Sequence, residues 1–214
     1  GLFAQQNLSP INGALINGVP QVRNCATQTP SSSWDNWFNQ KVQEFEQQQS
    51  VSKTMVNYTI PVVVHVIHGG QTAGTYPNLN AAQINSQIQV LNADFAGTGW
   101  NVGNVPSTFS TLVSNTGVQF CMATIDKNGA TMTEPGIDRV NYNTLTLSGS
   151  FTSKNPATYT SATTFQNFVD QIVKPQTIWD PTKYMNIWIT DENSAVGLLG
   201  YATFPANSTL TGIT

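Results

Sequence analysis

The run Ile60-Pro61-Val62-Val63-Val64-His65-Val66-Ile67 constrains this chain more than any other segment. Nearly every position in it is β-branched, and such side chains are stiff about χ1 and favour extended backbone. The run is continuously apolar rather than alternating. That marks a strand covered on both faces, as strands are inside a parallel sheet. Pro61 stands near the start, where a missing N–H is tolerated, and Gly69-Gly70 closes the run. The rest of the chain must therefore supply a layer for each face of the strand.

The downstream pattern supplies those layers. Asn80 has the chemistry of a helix cap, with Gln83 three residues on. The helix it opens buries Ile84, Ile88, Leu91 and Phe95 at helical spacing. Residues 118–125 read as a second strand, Asp126-Lys127-Asn128-Gly129 as a turn, and 137–140 as a short third strand. A second helix over 163–173 buries Phe165, Phe168, Val169 and Ile172, and Pro175 stops it. Residues 184–190 and 198–204 are the last strands. Strands that alternate with helices predict a mixed α/β (α+β) fold, a twisted, mostly parallel sheet with helices packed on it.

Upstream, residues 1–30 are rich in Asn, Gly, Pro and Gln and read as an extended arm. Ser33 is placed to cap a helix carrying Trp34, Trp37, Phe38, Val42 and Phe45 on one face. Residues 47–53 are polar and read as a link. The sequence thus divides into 1–52, arm plus aromatic helix, and 53–214, the folded domain.

Composition excludes several classes. The net charge is −3 without a basic run, so nucleic acid is not an expected partner. No apolar stretch reaches membrane-spanning length. Charged residues make up only 9%, against a usual quarter. The surface must then come from Asn, Gln, Ser and Thr, which suits a secreted or cell-surface protein. Gly1-Leu2-Phe3-Ala4-Gln5 reads either as the tail of a cleaved signal peptide or as a remnant without function. Two cysteines, Cys25 and Cys121, make no disulfide framework.

Several strings, in order and at fitting spacing, resemble the pappalysin (cytophagalysin) family of zinc metallopeptidases as found in secreted bacterial proteins. They are IPVVVHVI at 60–67, LNAAQINSQIQVLNADF at 79–95, GVQFCMATID at 117–126, WDPTKYMNIWI at 179–189 and LLGYATFP at 198–205. Arg23-Asn24-Cys25-Ala26-Thr27 resembles the cysteine segment of the family's pro-regions. The resemblance implies that 1–52 is a pro-region and 53–214 the N-terminal subdomain of a metzincin-like catalytic domain. It implies a zinc endopeptidase made as a zymogen, monomeric, acting on protein or peptide substrates. The metzincin signature is H-E-x-x-H-x-x-G-x-x-H, three zinc-binding histidines and a Glu as general base. This sequence holds only His65 and His68. The resemblance places the signature beyond Thr214, so no catalytic residue and no tight zinc site are expected in this chain.

His65 and His68 fall on opposite faces of a strand. His65 reads as a hydrogen-bonded core residue and His68 as a strand-end surface residue. Cys25 has two readings. By resemblance it is a zymogen switch, a thiolate that takes the fourth zinc position and keeps the attacking water out. Otherwise it pairs with Cys121 or is idle. Cys121, in a strand of alternating burial, reads as a small core residue. By resemblance, Leu199, Gly200, Tyr201 and Ala202 match the strand at the upper rim of the cleft, to which substrate adds as an extra strand. Gly200 would allow close backbone approach. Trp100, Trp179 and Trp188 read as core or loop anchors. Nothing linear brings any two of Glu134, Asp138, Asp191 and Glu192 together. The competing function is a secreted binding or adhesion domain on the same scaffold, without catalysis.

Overall fold

The computed structural model describes residues 31–49 and 57–202, and the backbone of three two-residue strands within 15–25. The chain forms two compact units, 1–54 with 194–214, and 55–193.

In the smaller unit, β1 (Leu15–Ile16) pairs antiparallel with β2 (Val19–Pro20). After β3 (Asn24–Cys25) comes α1 (Ser32–Gln49). The cap of α1 is Ser31, not Ser33: its hydroxyl accepts the Trp34 N–H at 3.3 Å, and its carbonyl accepts the Asp35 N–H at 3.0 Å. The Ser33 hydroxyl instead bonds that of Ser31. Trp34 and Phe38, one turn apart, stack at 5.1 Å. The helix continues to Gln49, into the stretch expected as a link, because Gln and Glu are good helix formers. The remainder of that stretch lies outside the described residues.

The larger unit is organised by β4 (Tyr58–His68), in which 62–67 are all buried. It is followed by α2 (Ala81–Phe95), β5 (Val118–Met122) and β6 (Ile137–Asn141). All of its strand pairings are parallel. One edge of β4 is shared: β5 lies along 58–62 and β6 along 64–68. The handover is visible where Ala123 N donates to Val62 O and Val64 N donates to Gly136 O. β5 therefore ends at Met122 rather than near 125, since the edge beyond belongs to β6. The other edge of β4 carries β7 (Met185–Ile189) along 62–66.

Each face is covered, as the unbroken apolar run demanded. On one face Val62, Val64 and Val66 pack with Phe120, Ile137 and the α2 residues Ile84 and Ile88. Asn80 caps α2, accepting the Gln83 N–H at 2.8 Å. Asn92 of α2 exchanges two hydrogen bonds with the backbone of Phe120, occupying donors and acceptors of an outer strand. On the other face Val63 packs with Ala123 and Trp179.

The second long helix differs from expectation at its end. It opens as α3 (Ala162–Phe168), capped by Ser161, passes through a π-helical stretch (Val169–Val173) and closes as α4 (Lys174–Thr177). Pro175 sits in the first turn of α4 and does not end the helix. The change of register from π to α leaves its nitrogen without a bond to make. Phe165, Phe168, Val169, Ile172 and Val173 are buried.

The last strand, β8 (Leu198–Gly200), belongs to the smaller unit and pairs in parallel with β3. Beyond Ala202 the expected strand lies outside the described residues. The mixed α/β class with a mostly parallel sheet is the expected one.

Candidate functional site

Strand pairing places Asn24 and Cys25 of β3 beside Leu198 and Gly200 of β8. Asn24 lies opposite Leu198 and Cys25 opposite Gly200, with a register irregularity between the two pairs. Leu198 is buried, Leu199 is 58% exposed, and Gly200 is exposed. Tyr201 and Ala202 follow just past the strand. Among the described residues, a Cβ on Gly200 would meet nothing within 4 Å. A strand edge carries one partner at a time, so while β3 lies on β8 that edge is closed to any other extended chain.

His65 is wholly buried in the middle of β4. Parallel register puts Asp138 of β6 and Trp188 of β7 level with it. Its Nδ1 is 2.8 Å from Asp138 Oδ2 and its Nε2 is 2.9 Å from Asn186 Oδ1. The ring stacks on Trp188 at 5.0 Å and meets Trp179 edge-on. His68 is half-buried at the strand end, and its Nδ1 accepts the Gly70 N–H at 3.0 Å. Burial, with the nearby Arg139 charge, pushes its pKa below the ordinary histidine range. The two histidines read from the sequence thus have the surroundings expected of them.

Three of the four acidic residues have separate partners: Glu134 binds Arg139, Asp138 binds His65, and Asp191 accepts the Tyr76 hydroxyl at 2.6 Å. Two readings are corrected. Cys121 is a free thiol exposed to solvent; the alternation was right, but Phe120 takes the α2 side and Cys121 the uncovered one. Trp100 is 85% exposed and anchors nothing, unlike the buried Trp179.

Among the described residues no three of His, Cys, Asp and Glu converge. Both nitrogens of His65 are already bonded, and one of His68. Zinc sites need three protein ligands or more.

The sequence signalled His65 but not its partners, Asp138 and Asn186. Only the register of three strands brings them to it. Nor did it signal Arg139, two of whose four hydrogen bonds tie β6 to the segment before α2 while the other two hold Glu134.

No family model and no curated protein sequence matches the chain. Solved structures do. Mirolysin in complex with compound 9 is 32% identical, over 70% of this chain and 47% of that one, at a TM-score of 0.50. A Tannerella forsythia promirolysin variant is 31% identical over 77% and 48%, at 0.48. Mature mirolysin of the same organism, in complex with a cleaved peptide, is 30% identical over 62% and 42%, at 0.43. The chain spans about half the length of each of these structures. Mirolysin is a metallopeptidase, and the parallel sheet with its helices is similar to the mirolysin fold.

Proposed function

We propose that this chain is the pro-segment and N-terminal subdomain of a secreted zinc endopeptidase made as a zymogen. The observation that carries the reading is the parallel pairing of β3 on β8, with Cys25 opposite Gly200. In this reading, residues 1–52 are the pro-segment. Peptide substrates add along Leu199, Gly200, Tyr201 and Ala202 once β3 has left. Backbone hydrogen bonds supply the affinity there, so the strand accepts many sequences. Cys25 is the switch, a thiolate directed to zinc in place of the attacking water. Among the described residues no set of side chains is placed to serve as the zinc ligands of this reading. The low charge and polar surface suit secretion. Similarity to the mirolysin fold supports the assignment.

The test uses the full gene product. It is expected to hold one zinc per chain and to cleave peptides after loss of the pro-segment. Cys25→Ala is expected to raise cleavage before processing by about tenfold or more, a barrier change of about 1.4 kcal/mol. A full product with neither zinc nor cleavage would establish the binding-domain reading instead. A Cys25→Ala protein as silent as its parent would assign latency to the strand pairing and remove the thiol from the mechanism.

A further inference from the structure

Among the described residues, His65 is the ionisable side chain with no exposure at all, and its hydrogen bonds fix where its protons sit. Asn186 settles one nitrogen. Its Nδ2 donates to the carbonyls of Trp179 at 3.0 Å and Tyr184 at 3.1 Å, and its Oδ1 accepts the Trp179 N–H at 2.9 Å. Turning the amide over would set NH2 against N–H and oxygen against two carbonyls. Oδ1 is therefore what faces His65, and Nε2 carries a proton. Asp138 settles the other nitrogen. An ionised carboxylate only accepts, so Nδ1, 2.8 Å from Oδ2, carries a proton as well.

We propose that His65 is built into the fold as an imidazolium paired with the Asp138 carboxylate, a proton-dependent clamp joining β4 to β6 and β7. A neutral ring beside a protonated Asp138 would fill the same contacts. Two features disfavour that arrangement. The Asp138 side chain is 28% exposed, so water stabilises its charge. The His65 ring stacks on Trp188, whose face attracts a cation.

The other charges around the site are accounted for. From β6, Arg139 is held by Glu134. Asp126 and Lys127 line an open hollow of about 410 Å3 that Asp138 and Trp179 also line. From the helix, Lys174 lies over the Trp188 ring at 5.5 Å and is paired with Asp170. From β7 only the neutral Asn186 and Trp188 reach the ring.

The test is nitrogen-15 NMR of the histidine rings in the 214-residue chain at about pH 8, above the ordinary histidine value of about 6.5. The expected spectrum shows a proton on both nitrogens of His65 and on only one of His68. Asp138→Asn offers an amide donor to Nδ1, so its His65 should keep Nε2–H alone. A parent His65 with one protonated nitrogen overturns the proposal. So does an Asp138→Asn protein whose His65 still carries both protons. If the variant does not fold, the parent spectrum decides alone.

Discussion

Arg139 stands next to Asp138 on β6 but turns to the opposite side of the sheet, as successive strand residues must. Its guanidinium grips both oxygens of Glu134, at 2.6 and 2.7 Å, and also donates to Asn78 Oδ1 and the Leu79 carbonyl. Those hydrogen bonds hold the Glu134 carboxyl below the usual carboxylate range, and the pairing raises Arg139 in turn. A depressed carboxylate stabilises the fold above its unfolded pKa, and that stabilisation is lost as pH falls through the folded value. Glu134→Gln should therefore melt lower than the parent at neutral pH, and the gap should close below about pH 4.3. Glu134 is 37% exposed, so the loss should be about 1 kcal/mol or less. Arg139→Met should cost more, about 2 kcal/mol, because it strands the buried Asn78 oxygen without its donor. Equal losses in thermal melts of the two variants would show that the segment before α2 does not depend on this clamp. At this scale the sequence revealed what a residue must do alone, not with whom. A histidine inside a valine run has to be buried and hydrogen-bonded, and His65 is. Its partners are 73 and 121 positions away, and nothing local points to them. For Cys121 the period was legible, but which face carries a helix was not.

Element types were more legible than their ends. The Asn80 cap on α2 and the turn at Asp126, which accepts the Asn128 and Ala130 N–H groups, follow directly from local chemistry. Ends set by neighbours were missed. β5 stops where β6 takes over the β4 edge, and the second long helix runs past Pro175 by way of its π stretch. The handover makes Gly136 critical. Its φ is +67°, and a Cβ there would lie 2.8 Å from the Met122 Cβ, at the end of β5. Gly136→Ala should destabilise the larger unit by about 1–3 kcal/mol, through backbone strain and that clash together. Gly129→Ala makes the control: its φ is +88°, but no atom lies within 4 Å of a Cβ there. Denaturant unfolding of the two variants separates the causes. If both lose the same amount, conformation alone accounts for the effect and the Met122 contact is irrelevant.

At the scale of the whole chain, the proposed zymogen requires a cut that removes residues 1–52 without harming the sheet. β4 begins at Tyr58 and pairs with β5, β6 and β7, so no strand of the larger unit can do without it. Its first residues are already engaged: Tyr58 N donates to Gly117 O at 2.7 Å, and 58–62 carry β5. Upstream, α1 holds its turns as far as Gln49, and Lys41 within it is paired with Glu44 at 2.7 Å. A protease must open several helical turns to reach Lys41, at a free-energy cost that a site outside the helix avoids. Lys53 lies past the end of α1, before β4 and one residue from the boundary of the two units at Thr54 and Met55. A lysine-directed protease at low concentration should therefore cut first after Lys53 and leave a stable product that begins at Thr54. N-terminal sequencing of the fragments over time checks this. First cleavage at Lys41 would mean that α1 is less stable than its helical bonds imply. A stable product beginning inside 62–67 would mean that β4 is not the strand on which the sheet is built, and the division at 52 and 53 would fall with it.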